Sequence, residues 1–304
     1  MNRVILLIFF LILLSVNFIR AEEKTNQIFL ISYNFTFNKT PQDIDIWLPF
    51  PPELPEQKLV NYQIIPENIK ANLIYDTTFG TPILHLKNIK SKEIKVVYII
   101  KRREIKNNLK NNQTWSPNTS PLENFIFKNY KPDVRTKLNK LVQKVLINST
   151  STLDKVQKFY NFVIDYMTYN KHCKGCGKGD LERILKEKQG NCIDYHTLFM
   201  SLCSLAHIPT VFEIGYMIPE NKEEGLIYGY HSWVKVFIPN IGWMPVDISE
   251  ADKHPELKEY YFGNLDFNRV CLSREKNFIY PVIKQNGKII HQYDLKIIFK
   301  KLNN

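Results

Sequence analysis

Residues 190–199 read GNCIDYHTLF, where a cysteine follows a small, turn-forming pair and precedes a helical apolar pattern that ends at Ile208 and Pro209. The first turn of a helix exposes unpaired backbone N–H groups and the positive end of the helix dipole. Both features favour the thiolate form of a cysteine in that position. Cys192 is therefore a candidate nucleophile. A buried structural cysteine would fit the same position, and this residue alone does not distinguish the two.

Length and composition indicate a folded protein with an export signal. The chain has 304 residues, 44% of them apolar, which is enough for one large or two modest domains. Arg3, an apolar run over 4–16 and a more polar stretch to Ala21 have the layout of a secretory signal peptide over 1–21. We predict cleavage near Ala21 and export to the periplasm or the extracellular space. The alternative is an uncleaved segment that anchors the protein in the membrane.

The chain is basic. It has 41 Lys and Arg against 30 Asp and Glu, a net charge of +11, and removal of residues 1–21 leaves 39 against 30, or +9. This charge attracts anionic partners such as cell-envelope polymers or lipid headgroups, so peripheral contact with an envelope or membrane surface is expected. The lysines are scattered and form no stripe with interleaved aromatics, so we expect no nucleic-acid binding.

The first part of the chain has the pattern of an antiparallel β domain over residues 22–105. Five strand-like segments are separated by Pro, Asn and Gly, namely IFLISYNFTF, IDIWLPF, LVNYQII, ILHLKNI and EIKVVYIIKRREI. Residues 106–121 are polar, asparagine-rich and interrupted by proline, which is typical of a linker.

The apolar period becomes helical after this linker, in a second predicted domain over residues 122–304. Helical faces are expected over 134–145 and 153–167, a short helix over 181–188 after the N-cap Asp180, and a central core helix from Cys192. TVFEIGYMI, HSWVKVFIP and GWMPVDI then read as strands, and further strands are expected towards the C-terminus. The predicted fold class is α+β, with helices packed on an antiparallel sheet.

His231 and Asp247 complete a candidate catalytic set. The alternation of HSWVKVFIP places His231, Trp233 and Lys235 on one face of a strand. The turn at 239–242 returns the chain antiparallel, which brings Asp247 within a few residues of lying opposite His231. The register stays open, because Pro245 implies an edge strand or a bulge. A thiolate, an imidazole and a carboxylate are the parts of a nucleophile, a general acid and base, and an orienting group.

Other interpretations exist for each of these residues. A strand histidine can be a half-buried structural residue, and an aspartate at a strand end can be a capping acid. His196, one turn after Cys192 on the same helix, is a rival base. Two side chains on one helix surface compete for the same direction, however, whereas His231 approaches from another element.

Three separated segments resemble the transglutaminase-like superfamily, in particular its exported bacterial members of mostly unassigned role. They are GNCIDYHTLFMSLCSLAHIPT, GYHSWVKVFIPNIGWMPVDISEA and HPELKEYYFGNLDFNRV, within residues 154–270. The resemblance implies a papain-like core with a Cys-His-Asp catalytic triad in that chain order. It assigns the catalytic roles to Cys192, His231 and Asp247, and it implies that no metal or organic cofactor is needed.

Two positions depart from the family pattern. His207 stands where a glycine usually precedes Ile-Pro, and must adopt the turn conformation. Lys186 stands six residues before Cys192, where papain-type enzymes have a glutamine for the oxyanion. The backbone N–H of Cys192 would then need a second donor, such as Gln189 or a tyrosine.

Cys173 and Cys176 form a CxxC pair next to His172. Two cysteines and one histidine fall short of the four ligands of a structural zinc site. In an exported protein a local disulfide is expected instead.

The sequence therefore predicts an exported cysteine hydrolase, a peptidase or amidase, that acts on a protein or peptide substrate such as a cell-envelope peptide. Transfer of the acyl group to an amine is an open variant, and hydrolysis is the expected outcome. The alternative function is a non-catalytic envelope or protein-interaction module that retains the fold. Oligomeric state is left open.

Overall fold

A computed structural model of the protein describes residues 25–77, 80–107, 130–274 and 278–303. The predicted signal peptide over 1–21 and residues 108–121 of the predicted linker lie outside these ranges. None of the helices within the described ranges is long and apolar enough to cross a membrane.

Within the described residues, the N-terminal part is built from six strands, one more than the sequence pattern indicated. Alternate residues of the first strand, from Phe29 to Phe37, are buried, as period-two patterning requires when one face of a sheet meets the core. The additional strand has a mostly exposed pattern that gives no such signal. The strands are β1 Asn26–Phe37, β2 Ile44–Pro49, β3 Gln57–Ile65, β4 Lys70–Tyr75, β5 Pro82–Ile89 and β6 Glu93–Arg103.

Four strands from later in the described part of the chain complete the two sheets of this N-terminal part. The strands are β10 Glu224–Leu226, β14 Val282–Gln285, β15 Lys288–Ile289 and β16 Tyr293–Leu302. One sheet has the order β10-β16-β1-β6-β3 and the other β15-β14-β2-β5-β4. The last strand pairs antiparallel with the first, from Ile28 opposite Leu302 to Phe37 opposite Tyr293. The C-terminal strands that the sequence analysis placed in the second domain thus pair with strands of the N-terminal part, because sequence neighbours pair in only about two-thirds of cases.

In the segments described from residue 130 onwards, five α-helices pack with a four-stranded antiparallel sheet, in agreement with the predicted α+β class. The helices are α1 Pro132–Val145, α2 Thr152–Tyr166, α3 Leu181–Glu187, α4 Cys192–Leu205 and α5 Ile248–Lys253. The sheet has the order β12-β11-β9-β13, with β9 Thr210–Met217, β11 His231–Ile238, β12 Gly242–Val246 and β13 Arg269–Ser273. A short parallel pair, β7 Thr168–Tyr169 and β8 Gln189–Gly190, lies beside the start of α4.

Helix α4 is the core of this part. Every residue from Cys192 to Ser204 is buried, including Asp194 and His196. The helix contacts β11 and the helices α1, α2 and α5. A helix enclosed on all sides has little freedom to move, so the cysteine at its first position is held in place. His207 lies just after the helix and has a positive φ of 57°. It therefore adopts the turn conformation expected at a position where the family usually has glycine.

The two faces of β11 meet different parts of the protein, as its alternation predicts. Val234 and Val236 face the main core with α4. Trp233 and Lys235 face the N-terminal part: Lys235 Nζ lies 3.0 Å from Glu213 Oε1 and also binds Glu56. Burial alone would raise the pKa of Glu56, but Lys235 and Arg102 hold it at about 2. A buried ion cluster therefore joins the two parts of the chain.

Candidate active site

Cys192 is placed by a capping box at the start of α4. Oδ1 of the N-cap Asn191 accepts from the backbone N–H of Ile193 at 3.0 Å. Oδ2 of Asp194 accepts in return from the backbone N–H of Asn191 at 3.1 Å. These bonds satisfy the amides on both sides of Cys192, whose own N–H lies at the first helical position, where no partner exists within the helix.

Asp194 also fastens the start of α4 to the preceding loop. Its carboxylate accepts from the backbone N–H groups of Gly177 at 2.8 Å and Gly179 at 3.1 Å, and Arg183 Nη2 lies 3.0 Å from Oδ2. The side chain is fully buried. Our sequence analysis gave Asp194 no role, although an acidic residue three positions after an N-cap asparagine is the signal of a capping box.

The predicted disulfide is present in this loop, between Cys173 and Cys176. Arg183 Nη1 donates to the backbone carbonyl of Gln189 at 2.9 Å and lies 3.6 Å from Cys173 Sγ. The disulfide loop, residues 173–179, is thus connected to the chain on either side of the nucleophile candidate.

The structure brings the three predicted catalytic side chains together. His231, the first residue of β11, lies with Nε2 2.7 Å from Asp247 Oδ2. Its side chain also makes a hydrogen bond with that of Cys192. A carboxylate only accepts, so Nε2 carries the proton and Nδ1 is the nitrogen left for the thiol. Cys192 and His231 are 3% and 4% exposed, and Asp247 is fully buried, so the contact is shielded from bulk water.

His231 and Asp247 each stabilise the charged form of the other. Burial alone would lower the pKa of His231, but the charge of Asp247, their hydrogen bond and Cys192 raise it to about 10. Burial would likewise raise the pKa of Asp247, but the charge and hydrogen bond of His231, with Arg269, hold it well below its usual range. The histidine is therefore an imidazolium at neutral pH and the aspartate a carboxylate.

Asp247 is both a capping residue and the partner of the histidine. As N-cap of α5 it accepts through Oδ1 from the backbone N–H of Glu250 at 3.1 Å and from Ser249 Oγ at 3.3 Å. This leaves Oδ2 for His231. Asp247 therefore caps α5 and also binds the imidazole of His231, because its two carboxylate oxygens face different partners.

Arg269 is a component of the site that the sequence analysis missed. Its Nη2 donates to Asp247 Oδ2 at 3.3 Å and its Nη1 to Asp266 Oδ2 at 2.6 Å. Arg269 is buried and is the first residue of β13, which lies at the opposite edge of the sheet from β12. No spacing rule connects Arg269 with Asp247, which lie 22 residues apart in the chain.

His196, the rival base, has a different role. Its Nε2 accepts from the backbone N–H of Ile248 at 3.2 Å, and its Nδ1 lies 3.3 Å from Ser232 Oγ. Burial lowers the pKa of His196 to about 4, against the charge of Asp247 that raises it. The neutral ring holds the residue next to Asp247 in place.

Residues 139–248 match the family model of the transglutaminase-like superfamily. The chain contains a transglutaminase-like domain. The matched segment includes Cys192, His231 and Asp247. It begins within α1 and ends at the first residue of α5.

Two relatives extend the comparison beyond the transglutaminase-like domain. The crystal structure of a protein from Cytophaga hutchinsonii, described as a "Putative Cysteine Protease", superposes with TM-score 0.59 and 14% identity. The alignment covers 92% of each chain, so the two share a fold over nearly their full length. A Haemophilus influenzae protein described as uncharacterized is 22% identical over 299 residues, 83% of this chain and 80% of its own.

The residues around the Cys192 thiol include the candidates for the second oxyanion donor, which the sequence analysis left open. Lys186, at the position of the expected glutamine, is exposed on α3. The side-chain oxygen of Gln189 accepts from Asn170 Nδ2 at 3.2 Å. Tyr169 and Tyr230 both lie close enough to Cys192 for its charge to raise their pKa values, after the larger effect of burial. Within the described ranges, no group of three or more His, Cys, Asp and Glu side chains is arranged to hold a metal ion.

Proposed function

We propose that this protein is an exported cysteine hydrolase that cleaves amide bonds with Cys192 as the nucleophile. The observation that supports this best is the 2.7 Å bond between His231 Nε2 and Asp247 Oδ2, with Cys192 close enough to the same imidazole to raise its pKa. The relatives support a transglutaminase-like fold, and one of them was described as a "Putative Cysteine Protease".

Each residue has a distinct task in this proposal. Cys192 Sγ attacks the carbonyl carbon of a substrate amide. The imidazolium of His231 gives its proton to the leaving amine and later takes one from water. Asp247 keeps the ring in the orientation and tautomer that this exchange needs. The carboxylate is itself fixed by Arg269 and by the first turn of α5.

The expected substrate is a protein or peptide, and the expected acceptor is water. A net charge of +9 on the mature chain would repel a cationic amine at long range and attract an anionic envelope polymer. An acyl intermediate at Cys192 should therefore be hydrolysed more often than it is transferred to a lysine.

The test uses labelled casein as a general protein substrate together with a fluorescent primary amine. Released peptides report hydrolysis, and fluorescence bound to casein reports transfer. We expect the wild type to release peptides and Cys192→Ala to do neither. Cys203→Ala is the matched control, since Cys203 is a buried cysteine on the same helix. Equal peptide release by wild type and Cys192→Ala would refute the proposed nucleophile, and bound fluorescence exceeding peptide release would refute the choice of acceptor.

A further inference from the structure

The side chains of Cys192, His231 and Asp247 provide no hydrogen-bond donor for the oxyanion that forms during the reaction. When Sγ attacks a carbonyl carbon, the π electrons of the C=O bond move to oxygen, and the charge needs hydrogen-bond donors already in place. The backbone N–H of Cys192 is one donor, at a helix position without an internal partner. A second donor has to come from the groups beside the thiol.

The orientation of Asn191 identifies which group this is. Its Oδ1 is fixed by the N–H of Ile193 at 3.0 Å, so its Nδ2 points away from the helix as a donor. The side chain of Asn191 makes a hydrogen bond with that of Tyr230. Both groups lie against Gly177: a Cβ on that residue would come within 2.8 Å of Asn191 Nδ2 and 3.2 Å of the Tyr230 hydroxyl. The phenol oxygen therefore accepts from Asn191, which leaves its own proton available to donate elsewhere.

Tyr230 keeps that proton. Burial and the negative charge of Cys192 raise its pKa, and the bond from Asn191 opposes them only in part. The ring is held by an edge contact with Tyr280, at 6.1 Å between centroids. Tyr230 also directly precedes His231, so one segment positions both groups.

We propose that the Tyr230 hydroxyl and the backbone N–H of Cys192 form the oxyanion hole, which makes Tyr230 a catalytic residue of the proposed hydrolase. The Sγ–C bond forms as the carbonyl π pair moves to oxygen, where the two donors bind it. The pair returns as the C–N bond breaks, and the amine leaves with the proton of His231. Water then attacks the thioester and its proton passes to His231. The acid leaves as the Sγ–C bond breaks, and the thiolate is restored beside the imidazolium.

Tyr169 is the matched comparison for this assignment. Its hydroxyl also feels the charge of Cys192, but its ring lies under Lys253 Nζ at 4.7 Å from the centroid. Removing this hydroxyl should leave oxyanion binding unchanged.

The experiment compares two reactions of the same thiol. Acylation by p-nitrophenyl acetate passes through an oxyanion, whereas alkylation by iodoacetamide does not. Tyr230→Phe should lower the rate of nitrophenolate release by about 10²–10³-fold, the usual effect of losing one oxyanion donor. Its alkylation rate at Cys192 should stay within about twofold of wild type, because no oxyanion forms. Tyr169→Phe should match wild type in both reactions.

The outcomes separate this assignment from the proposed function on which it rests. An acylation rate for Tyr230→Phe within threefold of wild type, or a larger loss in Tyr169→Phe, would overturn the role of Tyr230 alone. Equal losses of acylation and alkylation in Tyr230→Phe would show that it supports the thiol and not the oxyanion, which also overturns the assignment. Wild-type acylation no faster than that of Cys192→Ala would overturn both proposals.

Discussion

The two buried histidines should give the protein a maximum of stability near pH 6.5. The pKa of His196 is lowered from its ordinary 6.5 to about 4, chiefly by burial. Between these values the unfolded chain holds a proton that the folded chain lacks, so stability falls as the pH drops. The difference of roughly 2.5 pH units, at ~1.4 kcal/mol each, corresponds to about 3 kcal/mol.

His231 acts in the opposite direction on the alkaline side. Asp247 raises its pKa from 6.5 to about 10, against the effect of burial. Its contribution to stability is complete below pH 6.5 and is lost as the pH rises through 10, because the folded chain then holds the extra proton. The free energy of unfolding therefore falls at acidic pH because of His196 and at alkaline pH because of His231, and it is largest between the two.

Urea unfolding at a series of pH values measures the acidic effect. With a denaturant slope of about 3 kcal/mol/M, the midpoint of wild type should fall by about 1 M between pH 6.5 and 4. His196→Gln keeps an acceptor for the N–H of Ile248 but has no titrating group, so its midpoint should change much less over this range. Equal pH dependence in the two proteins would refute the buried neutral histidine.

Three further predictions follow from the contacts around the site. Asp247→Asn should reduce p-nitrophenyl acetate turnover, but less completely than Cys192→Ala, because an orienting group makes no bond to the substrate; equal loss in both variants would contradict this. Gly190→Ala should lower the melting temperature because its Cβ would lie 2.4 Å from Asp194 Cβ, whereas Gly229→Ala, with nothing within 4 Å, should not; equal melting temperatures would contradict this clash. Intact-mass analysis of purified protein should show alkylation of the disulfide loop only after reduction, and alkylation beforehand would disprove the bridge.

Local patterns in the sequence predicted most of the framework of the site. The period change after residue 130 located the helices, and the hairpin from β11 to β12 predicted that His231 and Asp247 would be neighbours. The side-chain directions on one helix also favoured His231 over His196. The helix positions and the contact between His231 and Asp247 agree with the sequence because each depends on residues close together in the chain. The choice of His231 as the base stays a prediction.

Contacts between distant strands escaped prediction. Arg269 reaches Asp247 although β13 and β12 lie at opposite edges of the sheet with two strands between them, and no local pattern signals this contact. The pairing of β16 with β1 joins opposite ends of the chain and has no local signal. The position of Tyr230 beside Asn191 could not be predicted for a similar reason, since it depends on how β11 packs against the start of α4.

The central claim is that Cys192 is an activated nucleophile, and the rate of its alkylation tests this most directly. Folded protein is treated with iodoacetamide at neutral pH, and peptide mapping measures the modification of Cys192, Cys203 and Cys271 over time. Burial raises the pKa of Cys203 and Cys271, and both are fully buried, so they should react only after unfolding. We predict that Cys192 is modified first in wild type and about tenfold more slowly in His231→Gln, which removes the imidazolium. Equal rates at Cys192 and Cys203 in the folded protein would contradict the account.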